Sequence, residues 1–499
     1  MMLFNIPLNI PLLMVVVFLS IVLGIAFRFA RVPTTFREYA IGNTPFSTAY
    51  LVATVLATAY GGRTVMHSVT EVHKFGLCAI LTGIITGCLS FWIISPLALR
   101  MAPFMHHLSM SETVGSIYGK YPRVMVVLSN LFASIVMITI QINVMTIAIG
   151  MCIDSVDPKI ITIISMLILI LYSTFGGVHA VLITDLVQLG TFLVILPLLS
   201  CCIFRYIGKP MPEIISFLQT QERFQFSKLF QVNHNLWSML TLFLSRLVFN
   251  ISPPNIQRIY MSSDHFQASK VFLHTGMGSL YIKLFMLLIG LFAFVSAPDL
   301  PATVVWGHIL SNISPLFKGF VVISLLAVSM STADSHINSS AIMISQEITD
   351  IVYKKKNPDR HQFLLAKITT PILGIFSLML SFYCNDLMEL IKLGFDCFIP
   401  IVTGPFILTI LGFRSSSYSV LTGMATGILA IIIWNKWVEP VTDVNGAFPC
   451  MLINSLVMIT THYLWPQKKR NKGVFDQANA LKLWVNARAS CASMRKENT

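Results

Sequence analysis

The chain alternates long apolar runs with short polar breaks. Thirteen runs stand out, near 5–27, 46–70, 76–99, 123–151, 158–175, 181–204, 236–254, 271–297, 317–346, 363–383, 388–412, 416–435 and 447–465. Most hold about twenty residues or more, enough to cross roughly 30 Å of hydrocarbon as α-helix. The pattern predicts an all-α polytopic membrane protein with about thirteen transmembrane helices. It excludes a β-barrel, whose strands alternate over about ten residues and never produce continuous apolar twenty-mers.

Composition points the same way. Of 499 residues, 55% are hydrophobic and only 11% charged, with mean hydropathy +0.76. A soluble core of that size could not hide so much apolar surface. The formal net charge of +13 would suit nucleic acid in a soluble protein, but in a membrane protein it is the signature of cytoplasmic loops. The expected partner surface is the lipid bilayer, with no nucleic acid. Arg28, Arg31 and Arg37 follow the first apolar run and nothing positive precedes it, the reverse of a cleavable signal peptide. The N-terminus is therefore expected outside. Arg100, Lys120 and Arg123, then Arg258 and Lys270, then Lys354, Lys355, Lys356 and Arg360, then Arg414 mark the inner loops, and Lys468, Lys469, Arg470 and Lys472 set the C-terminus inside. The loops 206–235 and 299–315 fall outside, each with room for a short helix over the outer face. Residues 466–499 form a basic tail, either solvated or a surface helix around Leu481, Leu483 and Trp484. The nine cysteines lie mostly in apolar spans without a CxxC pair and read as packing residues.

Backbone chemistry departs from a plain span in three places. In the second span, Ala57-Thr58-Ala59-Tyr60-Gly61-Gly62-Arg63-Thr64 carries paired glycines that allow unwinding, which frees carbonyls that hydrocarbon cannot satisfy. A close helix–helix contact is the other reading of these small residues. In the seventh, Pro253-Pro254 breaks or ends the helix. Arg246, two turns earlier, has Leu242 and Asn250 at i±4 and no local carboxylate, so it needs a partner on another helix or on a ligand. In the ninth, hydroxyl side chains crowd Leu326 to Ser340 beside Asp334 and Asn338. Interrupted helices five spans apart are the mark of inverted-repeat transporters. They imply five helices plus five, spans 2–6 (about 46–204) and 7–11 (about 236–412), with one extra helix in front and two behind.

Two stretches carry a specific likeness. Tyr172-Ser173-Thr174-Phe175-Gly176-Gly177-Val178-His179 through Asp185 and Gln188, and Met330-Ser331-Thr332-Ala333-Asp334-Ser335 through Asn338, resemble signatures of the sodium:solute symporter family. Phe36-Arg37-Glu38-Tyr39 and Gln257-Arg258 fit as well, and the likeness covers roughly residues 10–465. It implies a leucine-transporter fold, with 1–465 as the transporter domain. The implied function is sodium-coupled import of a small organic solute by alternating access, with Na+ as coupling ion and no other cofactor. It also implies a sodium site from the backbone carbonyls of Ala59, Gly62 and Val328 with the hydroxyls of Ser331 and Thr332. A hard monovalent cation prefers such neutral oxygens. Asp185 would assist the ion's inner pathway; a charge capping a short loop is the alternative. At the solute positions the chain departs from the family's proline carriers, with Arg246 and Asn250 in place of aromatic residues and Arg63 in place of serine. Arginines facing the cavity would favour a carboxylate-bearing solute, unless they pair internally with Asp396 or Glu71. Gln141 is a further cavity candidate. Proton coupling, or a transporter-like sensor acting through a separate signalling partner, are the alternative functions. No HExxH, GxSxG or paired-carboxylate motif suggests an enzyme.

Overall fold

The computed structural model describes residues 10–29, 35–42, 46–151, 157–225, 234–352, 358–384 and 386–465. Arg31, Lys354–Lys356, Lys468–Lys472 and the tail 466–499 lie outside them. Every regular element among the described residues is a helix, with no strand. Among the described residues, ten helices are long and apolar enough to cross a membrane. The other expected spans are the second and seventh, which are broken, and the fifth, which is short.

In chain order, α1 (Ile10–Phe29) leads to the short α2 (Phe36–Ile41), and the second span follows as α3 (Thr48–Ala59) and α4 (Gly62–Phe75). Next come α5 (Leu77–Arg100), α6 (Met110–Tyr118) and α7 (Lys120–Gly150). The fifth and sixth spans run together as α8 (Pro158–Ile207), kinked where Gly177 takes φ 55° and ψ 180°. A left-handed φ of this kind costs glycine little and other residues much. The seventh span comprises α10 (His234–Phe249) and α11 (Pro253–Tyr260), preceded by α9 (Met211–Thr220). Then follow α12 (His265–Ser296), α13 (Val305–Ser311), α14 (Pro315–Val352) and α15 (Pro358–Tyr383). The eleventh span joins α16 (Leu387–Phe398) to α17 (Gly404–Ile410) through a π-helical turn, and α18 (Ser417–Ile433), α19 (Glu439–Thr442) and α20 (Ala447–Leu464) complete the order. The short helices expected in loops 206–235 and 299–315 are α9 and α13. Trp306 of α13 donates to the Met66 carbonyl of α4 at 3.1 Å.

Local chemistry explains the boundaries. Asp157 caps α8 with Pro158 at its first position, where a missing N–H costs nothing. Two bonds begin α6, Ser109 Oγ accepting from the Glu112 amide and Glu112 Oε2 from the amide of Leu108, the residue before the cap. Leu13, Ile164, Leu167, Leu429 and Leu456 are at least 48% exposed and point to where lipid would lie. α14, the most hydroxyl-rich helix, sits at the centre against α1, α7, α8 and α15. Its polar side chains from Ser329 to Ser340 are buried, so its hydrogen bonds are made inside the protein.

Candidate ion and solute site

The helix breaks and α14 meet at one place. Ending α3 at Ala59 leaves its last carbonyls without helical donors. Tyr60 and Gly61 then run in non-helical conformation (φ −102°, ψ 64° and φ −67°, ψ 161°) before α4 begins. Thr332 answers from α14: its hydroxyl donates to the Thr58 carbonyl at 3.0 Å and reaches that of Ala57 at 3.5 Å. Gly62 lets the two elements close up, because a Cβ there would strike Ser329 Oγ and come within 2.8 Å of Val144 Cγ1. Both readings of the glycine pair therefore hold, an unwound turn and a close contact. The expected sodium set of Ala59, Gly62, Val328, Ser331 and Thr332 lies along this junction, with Val328 one turn before the hydroxyl pair.

Ser331 donates to Asp185 of α8. Asp185 is completely buried within its helix, so the loop-capping alternative is overturned. Its other oxygen lies 3.6 Å from Arg258, also completely buried. Arg258 was expected in an inner loop. The Pro253-Pro254 pair instead restarts the helix, and α11 carries Gln257 and Arg258 into the protein, where Gln257 donates to the Ala40 carbonyl at 2.8 Å. Arg258 donates to Ser335 at 3.0 Å, and Ser335 bonds Thr58 at 2.8 Å. Asp334, also buried, sits beside Tyr172 and Ser173, without a hydrogen bond of standard geometry among the described residues. Two carboxylates and one guanidinium thus share a buried layer joining α3, α8, α11 and α14.

The expected solute residues line two adjoining cavities, of about 110 and 30 Å³. Arg63 and Asn250 border both, Arg246 the larger and Gln141 the smaller. Asn250 donates to Ser90 of α5 at 2.8 Å. Arg246 pairs with Glu71 of α4, which also meets His67 at 3.2 Å. Asp396 is not the arginine's partner; it accepts from Asn435, beyond the end of α18, at 2.6 Å. Lys283 of α12 borders the larger cavity too. Sequence reasoning passed over it, although a lone lysine inside an apolar span is a functional signal by default.

The chain's relatives agree with this architecture. A profile of the sodium:solute symporter family matches residues 39–427. The sodium/sialic acid symporter of Aliivibrio fischeri is 24% identical over 63% of this chain and 65% of its own length. The sodium/proline symporter 2 of Staphylococcus saprophyticus is 26% identical over 62% of each chain. The chain thus matches somewhat less than two thirds of the length of these curated relatives. Among solved structures, a substrate-bound, outward-open Na+-coupled sialic acid symporter superposes with TM-score 0.80 at 19% identity, over 93% of this chain and 99% of its own. At that identity the likeness concerns the fold, which is of the leucine-transporter type. With the profile spanning most of the transmembrane region, the chain belongs to the sodium:solute symporter family.

Proposed function

We propose that the protein is a sodium-coupled importer of a small organic anion, working by alternating access. The observation that carries this is the junction of the α3–α4 break with Ser331 and Thr332 of α14, set between the buried charged layer and the solute cavity. Ala59, Gly62 and Val328 would supply carbonyl oxygens and Ser331 and Thr332 hydroxyls. Ser331 can donate its hydrogen bond to Asp185 and still offer lone pairs to a cation, which makes Asp185 an outer support of the site and not a ligand. With both carboxylates ionised, Asp185, Asp334 and Arg258 leave one negative charge, which one monovalent cation neutralises. Arg246 is held by Glu71, the internal pair that stood as the alternative, so a carboxylate-bearing solute would bind by taking the place of Glu71 on that guanidinium, beside Arg63. The two five-helix repeats, 46–204 and 236–412, would rock about this junction, with the N-terminus outside and the C-terminus in the cytoplasm.

Purified protein should be stabilised more by sodium than by potassium or choline at equal ionic strength, since only an ion bound to the folded state raises apparent stability. Replacing Ser331 and Thr332 together by alanine should abolish the difference. A full sodium shift in that double variant would move the ion elsewhere. A shift that proton concentration reproduces without sodium would favour proton coupling.

A further inference from the structure

The smaller cavity, of about 30 Å³, has room for a hydroxyl or another group the size of a water. Gln141 of α7, Asn255 of α11 and His336 of α14 border it, from three elements far apart in the chain. Buried amides are almost always hydrogen-bonded, because an unpaired polar atom away from water is costly. Two amides break that rule here. Gln141 is 1% exposed, and its Oε1 has no hydrogen-bond partner among the described residues. Gly61, on the same wall, keeps that amide open to the cavity, since a Cβ there would lie 2.9 Å from Oε1. Asn255 is equally buried; its Nδ2 donates to the Asn250 carbonyl at 2.9 Å, which fixes the orientation of the amide and leaves Oδ1 without a partner among the described residues. His336 reaches Ser134 Oγ with Nδ1 at 3.5 Å and has Nε2 unpaired among the described residues. The two orphaned oxygens are acceptors, so they call for a donor. No carboxylate among the described residues borders this cavity, so the donor that suits it is an uncharged hydroxyl or amide and not an ammonium.

We infer that the smaller cavity is a subsite for an uncharged hydrogen-bond donor of the transported solute, with Gln141 and Asn255 accepting from it and His336 beside them. The inference rests on the proposed reading of the two cavities as the solute site and deepens it: the solute is a carboxylate that also bears a hydroxyl or an amide N–H. Discrimination comes from the cost of leaving buried acceptors unpaired, which a plain hydrocarbon acid incurs and a hydroxy acid does not. Thr332 of α14 lies on the same wall, so a seated donor would join the restart of the seventh span to the ion junction. A bound water would satisfy the same acceptors, and the solute's own donor would then make no difference.

The test titrates four acids of like size against the purified full-length protein in sodium, read by thermal shift. Valerate, levulinate and γ-hydroxyvalerate differ only at the γ carbon, as methylene, ketone and hydroxyl; succinamate is levulinate with an amide in place of the methyl ketone. γ-Hydroxyvalerate, succinamate or both should bind at least about tenfold more tightly than valerate. Levulinate, which accepts but cannot donate, should group with valerate. Gln141→Leu should bring the donors to within about twofold of valerate. If that variant does not fold, levulinate against succinamate on the wild-type protein still decides, since the pair differs by the N–H group. Equal binding of all four acids, as a resident water would give, overturns the subsite and leaves the anion-symport reading standing. So does levulinate binding as tightly as both donors, or an unchanged preference in Gln141→Leu. No shift from any of the four overturns the anion reading and the subsite together.

Discussion

Arg258 shows what a buried charge requires at the scale of single residues. Its guanidinium is completely buried with Asp185 as its ion-pair partner and Ser335 as a hydrogen-bond acceptor. Removing one member of such a pair costs about 3–5 kcal/mol, because the other charge is left buried and uncompensated, whereas removing both costs far less. Asp185→Asn and Arg258→Gln should each lower thermal stability strongly, and the double variant should recover much of the loss. A double-mutant cycle on melting temperature measures the coupling. Additive losses would show that the two charges act separately. Asp185→Asn should also weaken the sodium shift less than Ser331→Ala does, since the amide can still accept the Ser331 hydroxyl.

Among the helical elements, the α3–α4 break depends on glycine for two different reasons. Gly61 lies within the unwound turn, and Gly62 opens α4 against α14 with no room for a methyl group. Overpacking of a filled interface typically costs 1–3 kcal/mol, so Gly62→Ala should destabilise by about that amount. It should also reduce the sodium-dependent part of the stability by separating α4 from Ser329 and its neighbours. A variant with wild-type melting temperature and sodium response would mean that the two helices part easily there. On the facing element, Pro253-Pro254 ends one helix segment and opens the next. The proline nitrogens lie where an N–H would have no helical acceptor.

For the whole molecule, one end is tied together by charges from several elements. Arg123 of α7 pairs with Glu347 and Asp350 at the end of α14, and Gln346 donates to Glu112 of α6 at 2.7 Å. Arg100, Lys120, Arg123 and Arg414 come from segments that the positive-inside rule assigns to the cytoplasm. An epitope inserted after Lys209, before α9, should be reached by antibody on intact cells, and one after Ser415, before α18, only after permeabilisation. The reverse pattern would invert the orientation.

Hydrophobic periodicity determined the helical class and the approximate positions of the spans, because helix length in a bilayer is set by hydrocarbon thickness and each span shows its own apolar run. Gly61-Gly62 and Pro253-Pro254 were legible as breaks, since backbone chemistry there is local. The hydroxyls of Ser331 and Thr332 stood out because they are concentrated in an apolar helix. Partnership was not legible. Arg258 read as a loop charge because a proline pair ends a helix and equally starts one, and only packing showed α11 turning inward to Asp185. Glu71 and Asp396 were equal candidates for Arg246 until α4 was placed beside α10. Lys283 joined the cavity only when α12 packed against α4 and α5. Each depends on contacts between residues far apart in the chain, and pairing energies of this kind arise from distances and burial that a one-dimensional pattern does not contain.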